Sequence, residues 1–353
     1  MTGVAAVLAL SPSLGRLSPA ATAEAAPAEL VAAIRDSGTV PHTGVVNASG
    51  TLAVPDADTF TSLGETFGEA NRIRVFWRDE ERWRLDRIRA TGETDLYRTA
   101  LGTTRWVYES RRVRVTLNAP VRLPDTSDVL PDTLARRVLQ GARPEELAAL
   151  PTRRIAGVDA AGLRLTPATP QSSIDRVDIW ADPGSGLPLR VEVYAGSAQP
   201  AVSTAYERVE LQAPRESALR FDPPDDADVT FDDLPDLASE SHRFAPYAAP
   251  AELAGLTLRR DRPDLPPGAV GVYGRGPTVL LFLPLRGNAA RPLREELGGA
   301  GSDGGSAVDL GAISALVTPE RYRGSGFLLV GTLTPRALEQ AAAEVADLEP
   351  VDR

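Results

Sequence analysis

The 353-residue chain contains no cysteine and no lysine. Without thiols there is no disulfide framework, no Cys-based zinc site, no thiol nucleophile and no lipidated N-terminal cysteine. Without lysine no Walker Gly-Lys pair can form, and all 38 basic residues are arginines, as a GC-rich genome would produce. Histidine is confined to His42 and His242, which is little material for a multi-histidine metal site or a histidine-based triad. A net charge of −10 argues against wholesale binding to phosphate backbones, so no nucleic-acid partner is expected. No stretch approaches the roughly 18 apolar residues that span a bilayer, and the chain is expected to be peripheral to any membrane. Gly274-Arg275-Gly276 and Gly324-Ser325-Gly326 do not continue as G-x-G-x-x-G and read as turns. No G-x-S-x-G elbow is present and no carboxylate pair stands out, so neither catalysis nor a cofactor is expected.

What the chain has in quantity is arginine alternating with large apolar residues. Arg72-Ile73-Arg74-Val75-Phe76-Trp77-Arg78 is followed by Arg82-Trp83-Arg84-Leu85-Asp86-Arg87, then Thr104-Arg105-Trp106-Val107-Tyr108 and Arg111 to Leu117. A period of two puts Ile73, Val75 and Trp77 on one strand face, with Arg72, Arg74 and Phe76 on the other. Trp83 with Leu85, Trp106 with Tyr108, and Val113 with Val115 and Leu117 repeat the arrangement. The short spacings predict an antiparallel meander, greasy on one face and charged on the other. Ile73, Val75, Trp77, Trp83, Leu85, Trp106, Tyr108, Val113 and Val115 are then candidates to line an acyl-chain or peptide cavity. Ordinary core packing against helices near residues 30 and 135 accounts for the same pattern. The outward Arg72, Arg74, Arg82, Arg84, Arg112 and Arg114 form a candidate partner-binding strip, suited to an acidic segment or anionic headgroups. A solvated sheet face is the plain alternative.

The length suits two domains at about 100–200 residues each. Residues 1–27 read as a leader, either a truncated export signal or a disordered Ala/Pro-rich segment: an apolar Val4–Leu10, then small residues from Ala21 to Ala26, without a basic start. Residues 28–221 form the first domain, opened by a short amphipathic helix over Glu29–Ile34 and a strand over Gly44–Leu52. Two helices are expected between Leu130 and Leu150, the second started by Pro144-Glu145-Glu146. Strands follow at 153–158, 162–165, 173–180, 189–194 and 201–211. Residues 222–242 read as a solvated acidic linker, carrying Asp222, Asp225, Asp226, Asp228, Asp232, Asp233, Asp236 and Glu240. Clustered carboxylates also suit calcium, but the spacing lacks the EF-hand pattern and Pro223-Pro224 interrupts it, so no metal is expected. Residues 243–353 form a small α+β domain with strands at 269–273, 278–283, 312–317 and 327–333. Residues 298–306 are a Gly-rich loop, and a final helix is capped by Thr334 with Pro335 at its first position.

Several segments together resemble a known family. Ile179-Trp180-Ala181-Asp182-Pro183 followed by Gly186-Leu187-Pro188-Leu189-Arg190-Val191-Glu192 is similar to the fold-back turn of the MucB/RseB regulators of envelope-stress sigma factors, whose N-terminal domain is LolA/LolB-like. Leu253-Ala254-Gly255-Leu256, Val279 to Leu283, and Phe327 to Pro335 leading into Ala337 to Val345 match the second domain, so the similarity spans roughly residues 28 to 348. The resemblance implies an α+β fold: a curved antiparallel half-barrel sheet wrapped over helices, followed by a smaller α+β domain. It implies an exported, extracytoplasmic, non-enzymatic protein in the periplasm or cell-wall space. The implied partner is the outer segment of a membrane-bound anti-sigma factor, with lipid or a lipoprotein acyl chain as a signal. A LolA-like carrier of lipid or lipoprotein is the alternative, and the second domain favours the regulator. No catalytic residue carries over.

Overall fold

A computed structural model describes residues 26–51, 67, 70–90, 92–118, 124–232, 241, 245, 247–260, 268–297, 306–321 and 324–350. Most of the leader, most of the 55–68 loop, His242 and most of 298–306 lie outside these residues, and Pro27, the last residue of the expected leader, already belongs to a helix.

Helix α1 (Pro27–Asp36) begins with proline at its first turn and buries Leu30, Val31 and Ile34 on one stripe. Two antiparallel meanders follow. The first comprises β1 (His42–Gly50), β2 (Asn71–Asp79), β3 (Arg82–Arg89), β4 (Gly92–Thr99), β5 (Gly102–Val107) and β6 (Arg112–Leu117). Helix α2 (Pro131–Val138) separates it from β7 (Leu147–Ile155), β8 (Val158–Leu165), β9 (Arg176–Ala181), β10 (Pro188–Tyr194) and β11 (Val202–Glu210). Pairing of β1 with β11 joins the meanders into one sheet of 12 strands, ending at β12 (Asp228–Asp232) on one side and β7 on the other. The sheet is open and curved. Its inner face packs on α1 and α2 through Ile34, Ala135, Leu139, Leu163, Ile179 and Val191, and through a second cluster around Trp77, Trp83 and Leu130.

The fold-back turn has a physical reason for each residue. Asp182 accepts hydrogen bonds from the Gly184 and Ser185 N–H groups and from the Ser185 hydroxyl at 2.6 Å. Gly186 adopts φ 73°, and a Cβ there would lie 2.4 Å from the Ala33 carbonyl of α1. Trp180 then donates from Nε1 to the Pro151 carbonyl at 3.1 Å, which sets β9 against β7.

A second sheet of five strands has the order β15 (Gly271–Arg275), β16 (Thr278–Leu285), β19 (Gly326–Gly331), β18 (Ser314–Val317) and β17 (Ser306–Asp309). It is preceded by the short hairpin β13 (Glu252–Leu253) and β14 (Leu256–Thr257). Helix α5 (Pro335–Ala346) covers one face, with Leu338, Ala341 and Val345 packed on Phe282 and Leu329. Its Thr334 hydroxyl accepts from the Ala337 N–H, the cap expected from sequence.

Several expectations change. Between Arg87 and Thr104, where no strand was expected, β4 (Gly92–Thr99) pairs with both β3 and β5. Pro144 starts a 3₁₀ turn, Pro144–Glu146, and the chain continues as β7, because Leu147 to Ile155 finds a partner in β8. Tertiary pairing outweighs local helix propensity there. A helix α4 (Gly287–Glu296) was not expected, since Gly287, Asn288 and Pro292 all read against one. Strand β17 (Ser306–Asp309), which starts at the last residue of the Gly-rich loop, was not expected. Within the acidic stretch read as solvated linker, Asp228–Asp232 is β12, the only parallel partner in its sheet among the described residues, paired to β6.

Before reaching β12 the chain crosses the outer face of the first meander. Helix α3 (Glu216–Leu219) sits against β3 with Leu219 buried, and Glu216 pairs with Arg78 and Arg82. Phe221 then packs at a tilt against Tyr97 and Trp106, with ring centroids 5.0 and 5.9 Å away, and Asp226 pairs with Arg111. Residues 212–227 thus form a strap across the sheet.

Candidate functional site

The register of the meander places the nine apolar candidates on two faces. Val75 pairs with Leu85, and Trp77 with Trp83, so these side chains and Ile73 project inward. All five are at most 4% exposed. The Trp77 and Trp83 rings stack at 6.0 Å, and Trp77 donates to the Gly38 carbonyl at 2.9 Å. Following the pairs across, Arg74 meets Asp86, Asp86 meets Asp95, Asp95 meets Trp106, and Trp106 meets Val113. Trp106, Tyr108, Val113 and Val115 therefore lie on the outer face, opposite Trp77. This corrects the single greasy face read from the sequence. Local alternation does not carry phase across turns, and a shift of one residue exchanges the faces.

The arginines divide by the same rule. Arg72, Arg74, Arg82 and Arg84 are outward, whereas Arg112 and Arg114 share the inner phase with Leu85 and Leu96. Nor do they form a net basic strip. Arg72 pairs with Glu207, Arg74 with Asp86 and Glu93, Arg82 with Glu216, Arg84 with Asp86 and Asp95, and Arg112 with Asp228. Arg114 also has a partner. Farther along the same face Arg164 clasps Asp178 through two bonds at 2.6 and 2.7 Å. The outer face is a lattice of neutralised pairs.

Asp86, Glu93 and Asp95 bring carboxylate oxygens within 4.8 Å of one another, close enough for a metal. Arg74 and Arg84 already occupy that position as cations, and Arg84 also lies over the Tyr97 ring at 5.0 Å. Burial and the neighbouring Asp86 push the Asp95 carboxyl up to about 7, with Arg84 opposing. On the inner face, His42 is fully buried, bonded to the Val40 carbonyl at 2.8 Å and the Tyr206 hydroxyl at 2.7 Å. Burial lowers its pKa, so it is a neutral core residue.

A cationic groove, which periodicity did not reveal, lies where the two sheets meet. A depression of 680 Å³ is lined by Arg35, Glu80, Arg136, Arg137 and Gln140 among others. A second, of 320 Å³, shares Gln140 and Gly141 with it and adds Arg259, Arg260 and Arg275. The C-terminal end of α2 carries Arg136, which pairs with Glu80 and Asp132, and Arg137, which pairs with Asp128, and Arg35 donates to the Leu139 carbonyl at 2.7 Å. The opposite wall is tied down: Gly276 donates to the Gln140 carbonyl at 2.7 Å, and Arg275 clasps the buried Glu146 at 2.8 Å. Burial opposes the Glu146 charge, but Arg275 and the Ala168 and Arg143 N–H groups outweigh it and bring its pKa to about 2. Further contacts between the sheets join Ser173 to Thr332 and Ala312, and Gln171 to Ala254 and Thr334. The only sequence signal for this groove was the arginine doublets Arg136-Arg137 and Arg259-Arg260, in an acidic chain.

No family model matches this chain, and no curated protein sequence does. Solved structures do. The Pseudomonas aeruginosa MucA/MucB complex aligns over 93% of this chain and 99% of that chain, at 15% identity and a TM-score of 0.51. A crystal structure of MucB covers 90% of this chain at a TM-score of 0.49. A LolA superfamily protein from Nitrosomonas europaea covers 56% of this chain, at 12% identity and a TM-score of 0.25. At such identity the likeness defines a fold: an open, curved antiparallel sheet over helices, followed by a smaller α+β unit. That combination is the fold of MucB, matched along nearly the whole of both chains. Among the described residues no helix is long and apolar enough to cross a membrane.

Proposed function

We propose that this protein is an extracytoplasmic, non-enzymatic regulator that binds the outer segment of a membrane-bound anti-sigma factor. The observation that carries this reading is the match to MucB in its complex with MucA, which runs through both sheets rather than the larger one alone. The groove between the sheets supplies the chemistry. Along the two adjoining depressions Arg35, Arg136, Arg137, Arg259, Arg260 and Arg275 outnumber the carboxylates that pair with them, Glu80, Asp128, Asp132 and Glu146, a local excess of positive charge on a protein of net charge −10 that suits an acidic peptide segment. Lipid or a lipoprotein acyl chain is the signal in this reading. Ile73, Val75, Trp77, Trp83 and Leu85 pack against Val129, Leu130 and Leu187, so an acyl chain gains the inner face only by displacing those contacts. Such competition would couple ligand entry to partner release through α2, which touches both the core and the groove.

The test is a crosslinking pull-down of the tagged, exported protein from native membranes, beside an Arg259→Glu/Arg260→Glu variant. Enrichment of one single-pass protein with a cytoplasmic sigma-binding domain, lost in the variant, supports the regulator. Enrichment of many lipoproteins or of extractable lipid, equal in both proteins, favours a carrier instead.

A further inference from the structure

The large sheet has two open edges, and they are defended differently. At β7 the edge carries Pro151, which lacks an N–H, and the exposed Arg153 and Arg154. Those are devices that discourage strand addition. At the other end β12 has neither proline nor arginine, and its Val229 and Phe231 are 44% and 73% exposed. Leu117, at the end of the adjoining strand, is 67% exposed, and Tyr108 and Leu101 at the neighbouring turns are 65% and 80% exposed. The large exposed hydrophobic side chains of the described residues thus concentrate at this edge, and such concentrations mark interaction sites.

The hydrogen-bonding phase of β12 is fixed. It runs parallel to β6, with Asp228 donating to the Arg111 carbonyl at 3.0 Å and the register Val229 to Val113 and Phe231 to Val115. Backbone groups of successive residues point to opposite sides of a strand, so Asp228 and Thr230 serve β6. Val229 and Phe231 therefore direct their N–H and C=O groups away from the sheet. Their side chains continue the outer-face row of Val113 and Val115, beside the Trp106 and Phe221 cluster.

We infer that β12 is a docking edge for an extended segment of another protein that alternates apolar with basic residues, added as a thirteenth strand by β-augmentation. Charge selects this occupant. In sequence the strand is flanked and punctuated by Asp225, Asp226, Asp228, Asp232 and Asp233, of which Asp226 pairs with Arg111 and Asp228 sits 3.8 Å from Arg112, and no basic residue lies between Phe221 and Glu240. A second copy added antiparallel about Thr230 would set Asp228 opposite Asp232, a like-charge pairing that opposes self-association. A basic partner strand removes that repulsion while its apolar residues cover Val229 and Phe231. This edge is separate from the arginine groove, so it holds whether or not the regulator reading does.

The test uses the full chain and a fluorescein-labelled seven-residue peptide alternating arginine with valine and phenylalanine, followed by anisotropy. Val229→Pro removes one outward N–H without touching the bonds to β6, and Phe231→Ser removes the most exposed apolar group of the strand. Saturable binding by the native chain is expected, weakened about tenfold by each substitution, the scale of one lost contact of this kind. A peptide with glutamate in place of arginine, or serine in place of the apolar residues, should bind at least that much more weakly. Unchanged thermal midpoints in the Phe231→Ser variant keep the result readable if Val229→Pro fails to fold. Equal binding of the glutamate peptide, or no loss with Phe231→Ser, overturns the assignment. So does concentration-dependent dimerisation abolished by Phe231→Ser, which would make a second copy the occupant.

Discussion

Trp77 and Trp83 on β2 and β3, and Trp106 and Tyr108 two strands further on, arise from similar sequence and are closed by different means. The first pair stacks against the 3₁₀ turn over Thr126–Val129 and the far meander, within the core of the large sheet. On the outer face, Trp106 has its cover from Phe221 in the strap, and Tyr108 is 65% exposed. The inner face is closed by elements on either side of it in sequence, whereas the outer is closed by a segment that returns to it after β11. The comparison teaches that burial alone does not say how a tryptophan is held: Trp77 and Trp106 are 2% and 6% exposed, yet one depends on a whole core and the other on a strap.

The largest test of this difference is Trp77→Ala. It opens a cavity beside Trp83 and leaves the Gly38 carbonyl without its donor. A loss of about 3–5 kcal/mol is expected in urea unfolding. A loss below about 1 kcal/mol would mean the inner face is loosely packed and better suited to a ligand. Phe221→Ala should cost less, about 2 kcal/mol, because Phe221 is half-buried and the sheet beneath it retains its pairing. It should also red-shift the emission of Trp106 while Trp77 and Trp83 stay shielded. Equal costs for the two substitutions would erase the distinction between core and strap.

The strands of both sheets were largely legible, because alternation survives within a strand whatever it packs against. Phase between strands was not. Trp83 and Trp106 look equivalent in sequence, but their faces are decided by the hairpins at Ala90 and Ala100 and by pairing partners, which composition does not encode. The Asp182 to Gly186 turn was legible because each residue there answers a local demand. The groove was not, since Arg35, Arg136, Arg259 and Arg275 converge from four distant segments. Likewise β12 hid in an acidic run whose composition reads as solvated, since only a long-range partner, β6, makes it a strand.

The two faces should also respond to pH with opposite signs. Asp95, under the strap, has its pKa raised to about 7 from 3.8, so between those values the folded chain keeps a proton that the unfolded chain has lost. Its contribution therefore falls as pH rises from about 4 to 7. His42, on the inner side, has its pKa lowered from 6.5, so the unfolded chain alone gains a proton there as pH drops below that value. Its contribution falls as pH falls. Asp95→Asn should thus flatten the decline towards neutrality by on the order of 1 kcal/mol, the carboxyl sharing its charge with Asp86 and Arg84. Denaturation midpoints at about pH 5 and pH 7 measure it, and an unchanged difference between them would remove Asp95 from the account.

The smallest effect should come from Tyr108→Ala. Tyr108 meets Trp106 edge-on at 6.0 Å from the solvent side, and it follows β5 at the turn into β6. Its ring is mostly in water already, so its removal transfers little apolar surface and should change stability by less than about 0.5 kcal/mol. If Phe221 is the cover of Trp106, the emission of that tryptophan should also stay in place, in contrast to Phe221→Ala. A red shift as large as that of the Phe221 variant would show that Tyr108 shares the closing of the outer face. The strap would then be one half of a clamp, and the exposed ring at the β12 end would be part of the fold rather than of a docking edge.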